Sequence, residues 1–545
     1  MDEHDVDTRS DDYDDTRPLL HLPSKTTVAL SAVMVVQVLS RFTLFCTFAY
    51  IPGFCKNDLK LSETATVVIN GFYIGIIYGI PAVAGGIADA VLGRYKSLFI
   101  SNCVILLGAI IFLVLVIIVD TGHIAMPYVL LLLITSLGLI SFGIGSFNVV
   151  LMSFGMDQIA NKSNANLWSF FLWRSWFTNI GKLAVAMAFT GDTGTFDSPR
   201  MLGMGIAIVV SAALSVAIVI GCKRAFKIEK PQAKQTFRNI KLGFFNIFPF
   251  ARKYPVYFSN LSYAAQETFK ASMHKKRQLF RKVVLFVGIF ASYGVYDAIY
   301  IQMNSTYREQ RKFLKEEPYA ENLKMGVFQA FAALSVIPCV ELVNRTKGLC
   351  KPLSNLSLIG FGTIFIITSP LCAGVLETVI RTKQWPGTDS GISLFFQIPQ
   401  FVLAGVADVF IFIPSHVFAY DQSPKHAQSF TFGLNYTAGT VVYVVLYVVQ
   451  AVFVQTPQPD SSPHVDVFEY LFYILVGAAL FILLFLFLPL SIMYRRAAMK
   501  LQSEADDESG DVTLTESILE ADENECLDYG TVRSSTSHSS ETVHS

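Results

Sequence analysis

The chain has 545 residues, 52% of them hydrophobic and only 15% charged, with 42 Lys/Arg against 42 Asp/Glu. A mean hydropathy of +0.48 excludes a large soluble protein, which would divide into several domains and carry more surface charge.

Twelve apolar runs follow one another, near 27–50, 64–91, 97–119, 127–151, 168–190, 203–222, 283–303, 324–343, 355–376, 392–418, 430–455 and 467–492. Runs of about 20 residues match the ~30 Å hydrocarbon core of a bilayer. An all-α membrane protein of twelve transmembrane helices is therefore expected. The zero net charge hides three blocks. Residues 1–20 hold eight acids against Arg9 and Arg17, residues 223–282 hold fifteen Lys/Arg against Glu229 and Glu267, and residues 501–545 hold twelve acids against Arg533. Positive loops stay cytoplasmic, which puts the central basic block and both acidic ends on the cytoplasmic side. The expected order is a disordered acidic N-terminus (1–26), a six-helix bundle (27–222), a basic cytoplasmic linker (223–282), a second six-helix bundle (283–494) and a disordered acidic tail (495–545).

The acidic head lacks the basic region and small-residue site of a cleaved signal peptide. It carries DTRPLL (15–20), in which Asp15, Leu19 and Leu20 fit an acidic dileucine signal of the kind that clathrin adaptors read. The first run contains VVQVLSRF (35–42), where Arg41 stands in apolar chain with the uncharged Gln37 and Ser40. Charge inside a membrane is costly and usually functional, so Arg41 needs a partner from another helix, with Asp297 or Asp408 expected.

After the second run comes GGIADAVLGRYKS (85–97). Asp89 is placed to cap or charge-pair at a helix end, Gly93 to allow a tight turn and Arg94 to pair across it, and the turn resembles the one that latches the cytoplasmic gate in major facilitators. Three residues, Ala90 to Leu92, separate the Asp from the Gly, where the general facilitator pattern has two. The fourth run ends in GIGSFN (143–148) with Asn148, and the loop behind it reads FGMDQ (154–158).

The fifth run, FFLWRSWFTNIGKL (170–183), places Asn179 and Lys182 on one helical face. Lys182 reads either as an anchor for a substrate carboxylate or as a neutraliser of Asp408 or Asp297. Arg174 is expected nearer the helix end, snorkelling or pairing with loop acids. In the linker, KLGFFNIFPFARKYPVYF (241–258) alternates aromatics with cations, as an interfacial segment on anionic lipid or a solvated tether would. The seventh run carries Asp297 and leads into YIQMNSTY (300–307), with Gln302 and the glycosylation sequon at Asn304. The tenth holds Asp408 and His416. Asp408 reads as a substrate-amine partner or as a structural partner to a buried cation, and His416 as a proton carrier or a hydrogen-bonded helix residue. In the tail YGTV (529–532) fits a tyrosine sorting pattern.

YGIPAVAGGIADAVLGRY (78–95), FGMDQ, the F-T-N-I-G stretch at 177–181, FAYDQSPKHAQS (418–429) and YIQMNSTY together resemble the proton-dependent oligopeptide transporter family of the major facilitator superfamily. The last is similar to the lysosomal peptide/histidine branch. The resemblance implies two six-helix bundles rocking about a midplane site, with Arg41, Tyr78, Asn148, Asn179, Lys182, Gln302 and Asp408 as substrate-contacting positions. The family's first-span Glu-x-x-Glu-Arg-Phe falls on 37–42 with Gln37 and Ser40 in place of the glutamates, and its fourth-span lysine falls on Asn148. Its tenth-span glutamate falls on Asp408. Gln37 and Ser40 cannot titrate, so Asp297, Asp408 and His416 are the proton-coupling candidates.

No P-loop, metal-ligand cluster, nucleophile elbow or Rossmann pattern stands out. No enzyme activity, cofactor, metal or nucleic-acid partner is expected. The sequence reading is a proton-coupled carrier of small peptides, histidine or peptide-like zwitterions in endosomal and lysosomal membranes, with the plasma membrane as the alternative location. Two alternatives stay open: the same fold with altered coupling, as a uniporter or organic-anion carrier, and a membrane scaffold that signals through its tails.

Overall fold

The computed structural model describes residues 24–121, 125–159, 164–188, 198–231, 290, 293–300, 306–311, 314–315, 330–336, 338–339, 354–383, 391–421, 423, 427–455, 467–493 and 496. Asp15, Leu19, Leu20, Gln302, Asn304, most of the basic linker and the acidic tail lie outside them.

The described chain is helical. Its α-helices are α1 (Ser24–Gly53), α2 (Glu63–Gly79), α3 (Pro81–Ile87), α4 (Arg94–Thr121), α5 (Met126–Asp157), α6 (Asn164–Ala188), α7 (Ser198–Gly221), α8 (Thr306–Arg311), α9 (Asn355–Lys383), α10 (Ile398–Asp421), α11 (Gln428–Gln455) and α12 (Val467–Phe481). Among the described residues eight helices are long and apolar enough to cross a membrane. Helices α6 and α11 cover two further apolar runs, and the runs 283–303 and 324–343 are described only in part. In lipid every backbone polar group must be bonded internally, which only helices or closed barrels achieve.

Breaks in these helices have local causes. Ser62 accepts the Ala65 N–H at 3.2 Å and starts α2 as its N-cap. Pro81 cannot continue the ladder of α2, so the second span restarts as α3. The three residues between Asp89 and Gly93 sit in a π-helical turn, Ala88–Leu92. A π turn absorbs an additional residue without breaking the helix, which accounts for the longer motif. Gly93 then reverses the chain at φ +80°, a backbone that side chains with a Cβ avoid.

Packing sorts the helices into two groups. In the first, α4 lies against α5 and α7, α1 against α6 and α7, and α2 against α5. In the second, α9 lies against α10 and α12. The seam between the groups is formed by α2 and α3 against α11, and by α6 against α10. Following the chain, Asp89, Arg94 and the start of α11 fall at one end of this seam, and the end of α1 falls at the other.

At that other end α1 runs through Pro52 into a π turn, Phe54–Asp58. Asp58 leaves Oδ2 buried without a partner, and burial pushes its carboxyl up to about 6. An acid raised in the folded state stabilises the fold when protonated, and that contribution is lost as pH rises from about 4 through 6. The melting temperature of the wild type should therefore fall across this window relative to Asp58→Asn. Parallel curves for the two proteins would show that burial of Asp58 contributes nothing.

Candidate functional site

The fifth-span motif shows how neighbouring residues of one helix serve different partners. Thr178 accepts the side-chain N–H of Gln37 at 3.0 Å and so ties α6 to α1. Asn179 donates to the Ser175 carbonyl at 2.9 Å and to Asp408 Oδ2 at 3.5 Å, reaching α10. Ile180 is exposed, facing outward where lipid would be. At Gly181 a Cβ would stand 2.9 Å from Arg41 Cβ and 3.0 Å from the Val38 carbonyl oxygen, so the glycine permits the close approach of α1. Lys182 then turns back to the seam.

A cavity opens there, lined among others by Arg41, Tyr78, Thr178, Lys182, Asp297 and Asp408. Lys182 donates to the Tyr300 hydroxyl at 2.7 Å and stands 4.0 Å from Asp408 Oδ2. Its ammonium also lies over the rings of Tyr300, at 4.2 Å, and Phe45, at 5.7 Å, in range for cation–π attraction. The Tyr296 hydroxyl donates to Asp408 Oδ1. Asp408 thus receives a hydroxyl, an amide and an ammonium, while Asp297 keeps Oδ2 buried without a partner.

The cations Arg41 and Lys182 come from α1 and α6 of the first group, and the carboxylates from elsewhere, Asp408 from α10 of the second group and Asp297 from the seventh apolar run. The four charges are formally balanced. Among the described residues Arg41 makes no ion pair: it shares the cavity with both carboxylates but is bonded to neither, and its Nε has no partner. The direct partnership expected from the sequence is therefore replaced by a shared space. Gln37 is fully buried against Thr178, and neither Gln37 nor Ser40 lines the cavity.

Other expected residues fall elsewhere. Asn148 is buried in α5 with an unpartnered Oδ1, and neither it nor Asn179 lines the cavity. His416 is fully buried behind the cavity, bonded through Nδ1 to the Phe412 carbonyl at 2.6 Å among aromatic rings. Arg174 corrects the sequence reading. It does not snorkel to loop acids but is 1% exposed within the seam, over the Phe412 ring at 5.1 Å and 3.4 Å from the Tyr436 hydroxyl.

Tyr293, Tyr296 and Tyr300 also line the cavity and were not singled out in advance. The signal was present in YGVYDAIY (293–300): with Asp297 they recur at i, i+3, i+4 and i+7, one face of a helix.

At the end of the seam Asp89 is buried and central. Its Oδ1 accepts Arg94 Nε at 3.1 Å and the Ser429 hydroxyl at 2.7 Å, and its Oδ2 accepts the Phe430 N–H at 3.1 Å. An acid from one group thereby caps the N-terminus of α11 in the other, satisfying an orphan donor and complementing the helix dipole. Arg94 Nη1 also pairs with Asp157 of FGMDQ at 2.6 Å. Gln158 of the same motif exchanges two hydrogen bonds with the backbone of Lys227, and this fixes the start of the linker beside the turn. Ser153 bonds to Ser429 across the seam at 2.5 Å.

Apolar spanning helices in two groups, with a charge-lined cavity on their seam and an ion-paired turn at one end, define a multi-pass membrane transporter of the major facilitator class, not an enzyme. Residues 95–465 match the family model PTR2, described as the POT family, and the chain belongs to that family. It is similar to Protein NRT1/ PTR FAMILY 6.4 of Arabidopsis thaliana, 24% identical over 69% of this chain and 73% of that protein. It is also similar to Solute carrier family 15 member 3 of Mus musculus, 24% identical over 74% of this chain and 80% of that protein. Among solved structures it resembles the POT family transporter PepTSo, with a TM-score of 0.65 at 16% identity over 86% of this chain and 98% of that one. It also resembles a POT family transporter in complex with 5-aminolevulinic acid, with a TM-score of 0.59 at 15% identity over 84% and 96%.

Proposed function

We propose that the chain is a secondary transporter that moves small peptides, histidine or peptide-like zwitterions from the endolysosomal lumen to the cytosol by alternating access, coupled to protons. The observation that carries this reading is the division of charge in the cavity, with Arg41 and Lys182 on α1 and α6 facing Asp408 on α10 and Asp297 on the seventh run. A zwitterion whose carboxylate meets the first pair and whose amine meets the second bridges the two groups, so its binding is coupled to their relative movement. Support comes from the complex of a POT family transporter with 5-aminolevulinic acid, a molecule with one amine and one carboxylate.

Asp89, Gly93 and Arg94 serve as the cytoplasmic gate, shut in this conformation. With Gln37 and Ser40 uncharged, the proton falls to a cavity carboxylate. Asp297, with its unpartnered Oδ2, is freer to exchange one than Asp408, which three groups hold. Endolysosomal placement rests on Asp15, Leu19 and Leu20 as a clathrin-adaptor signal, and Leu19→Ala with Leu20→Ala should move the protein to the cell surface. Unchanged distribution in cells would remove that support.

A uniporter or organic-anion carrier is the second reading, favoured by the burial of Gln37 against Thr178 outside the cavity. Uptake of labelled dipeptide and histidine into proteoliposomes, at an outside pH of about 5 against about 7, decides between them. Acid-stimulated uptake supports the symporter and pH-indifferent uptake the uniporter. No uptake by folded protein sinks both.

A further inference from the structure

Unlike Arg41, which shares the cavity with two carboxylates, Arg174 is a seam cation with no carboxylate among its described partners. Its side chain is among the largest that are fully buried, and Nε and Nη1 have no hydrogen-bond partner. Among the described residues no carboxylate pairs with it. Its protein contacts are the long bond from Nη2 to Tyr436 and the face of Phe412. His416 lies against the same two rings, 4.2 Å from Phe412 and 5.6 Å from Tyr436 between centroids, and is 0% exposed with Nε2 unpartnered. Burying a cation against rings and one long hydrogen bond leaves most of its desolvation cost unmet.

The position is ordered relative to the cavity. Arg174, Thr178 and Lys182 recur at i, i+4 and i+8 on α6, so Arg174 sits about 12 Å along the same face from Lys182. It lies in the direction of the Asp89 end, since Phe171 one turn further packs on Phe432 near the start of α11. Phe412, Tyr436 and Tyr293 all line the cavity, and all touch Arg174 or His416 from behind. Three rings therefore separate the cavity from a guanidinium with N–H bonds still to give, while His416, whose Nδ1–H is donated to the Phe412 carbonyl, packs beside it as a wall.

We propose that Arg174 forms a second anion-accepting station, behind the Phe412, Tyr436 and Tyr293 rings, that takes a small monoanionic group. The ligand is either the carboxylate of a solute leaving the cavity or a small inorganic anion. Arg174 offers Nε–H and Nη1–H, on separate edges of the guanidinium, and its full burial behind the rings restricts the ligand to a compact anion.

The test uses the full-length purified protein, titrated with sodium chloride or sodium acetate while a bulky morpholine-ethanesulfonate salt holds ionic strength constant. The melting temperature of the wild type is expected to rise saturably. In Arg174→Gln the half-saturating concentration should increase at least tenfold, and Arg174→Lys should retain most of the response. A response to both salts identifies a carboxylate site and a response to chloride alone an inorganic-ion site, and either supports the station. No saturable response in the wild type, or the same response in folded Arg174→Gln, overturns it. Should Arg174→Gln fail to fold, the wild type decides by size: a saturable response to acetate that is absent with the bulkier pivalate supports the station, and an equal response to both overturns it. A wild type that binds acetate yet takes up no labelled histidine or dipeptide overturns the proposed cargo and leaves the station standing.

Discussion

Gly85→Val is expected to abolish transport while leaving the protein in the membrane. A Cβ at Gly85 would stand 2.2 Å from the Ser429 carbonyl oxygen and 2.9 Å from the Phe430 nitrogen. Both obstacles are backbone at the start of α11, and backbone cannot rotate away as a side chain can. Gly433 makes the reciprocal contact, with the Pro81 carbonyl oxygen 2.4 Å from where its Cβ would be. The two glycines let α3 and α11 meet at their backbones and bring Asp89 within reach of Ser429 and Phe430. Overpacking a tight contact costs about 1–3 kcal/mol or more, which disfavours the closed seam by roughly 5- to 150-fold. A carrier that cannot close one end cannot alternate. Uptake should fall to background, and a cysteine placed in the cavity should become labelled from the Asp89 side. If Gly85→Val transports normally, the closed seam is not a state of the cycle.

Asp408→Ala and Lys182→Ala should fail in different ways. Removing Asp408 takes the ion-pair partner from Lys182 and the acceptor from Tyr296. Breaking a fully buried pair costs about 3–5 kcal/mol, and less here because Lys182 keeps an edge on the cavity. Asp408→Ala should therefore lower both the melting temperature and uptake. Adding Lys182→Ala should restore much of the stability, since the ammonium that lost its partner is then removed, without restoring uptake. Lys182→Ala alone tests the anchor reading. A charge-assisted hydrogen bond to a carboxylate contributes about 1.5–3 kcal/mol, so affinity for a dipeptide should fall about 10- to 150-fold. The ratio of affinities for the free and C-terminally amidated peptide should move towards one. An equal loss for both peptides would assign Lys182 to holding Asp408 instead.

Much of the architecture was legible in the sequence because a bilayer enforces length and apolarity on each span. The ion-paired turn was legible too: Asp89 both caps a helix and pairs with Arg94, as its position in GGIADAVLGRYKS suggested. The cavity was legible only in part. Arg41, Lys182, Asp297 and Asp408 stood out because charge is rare in apolar runs. Their pairing did not, since which cation meets which acid depends on how α6 sits against α10 across the seam. Arg174 was misplaced because its neighbours in sequence resemble those of a helix end, while its burial comes from α10 and α11, more than 200 residues away. The tyrosines at 293, 296 and 300 were overlooked because aromatic residues in a span are ordinarily packing, and the helical period alone does not separate a packing face from a cavity face.

The division of charge in the cavity also bears on how the membrane potential acts on the cycle. The two cations and two carboxylates that line the cavity sum to no net charge, so these four side chains add no electrical work when the empty cavity reorients. A zwitterion leaves that balance unchanged, whereas a proton carried with it adds one charge, worth about 2.3 kcal/mol per 100 mV. On the proposed reading, the carried proton makes the loaded step sensitive to voltage, and the four lining charges add nothing to the return.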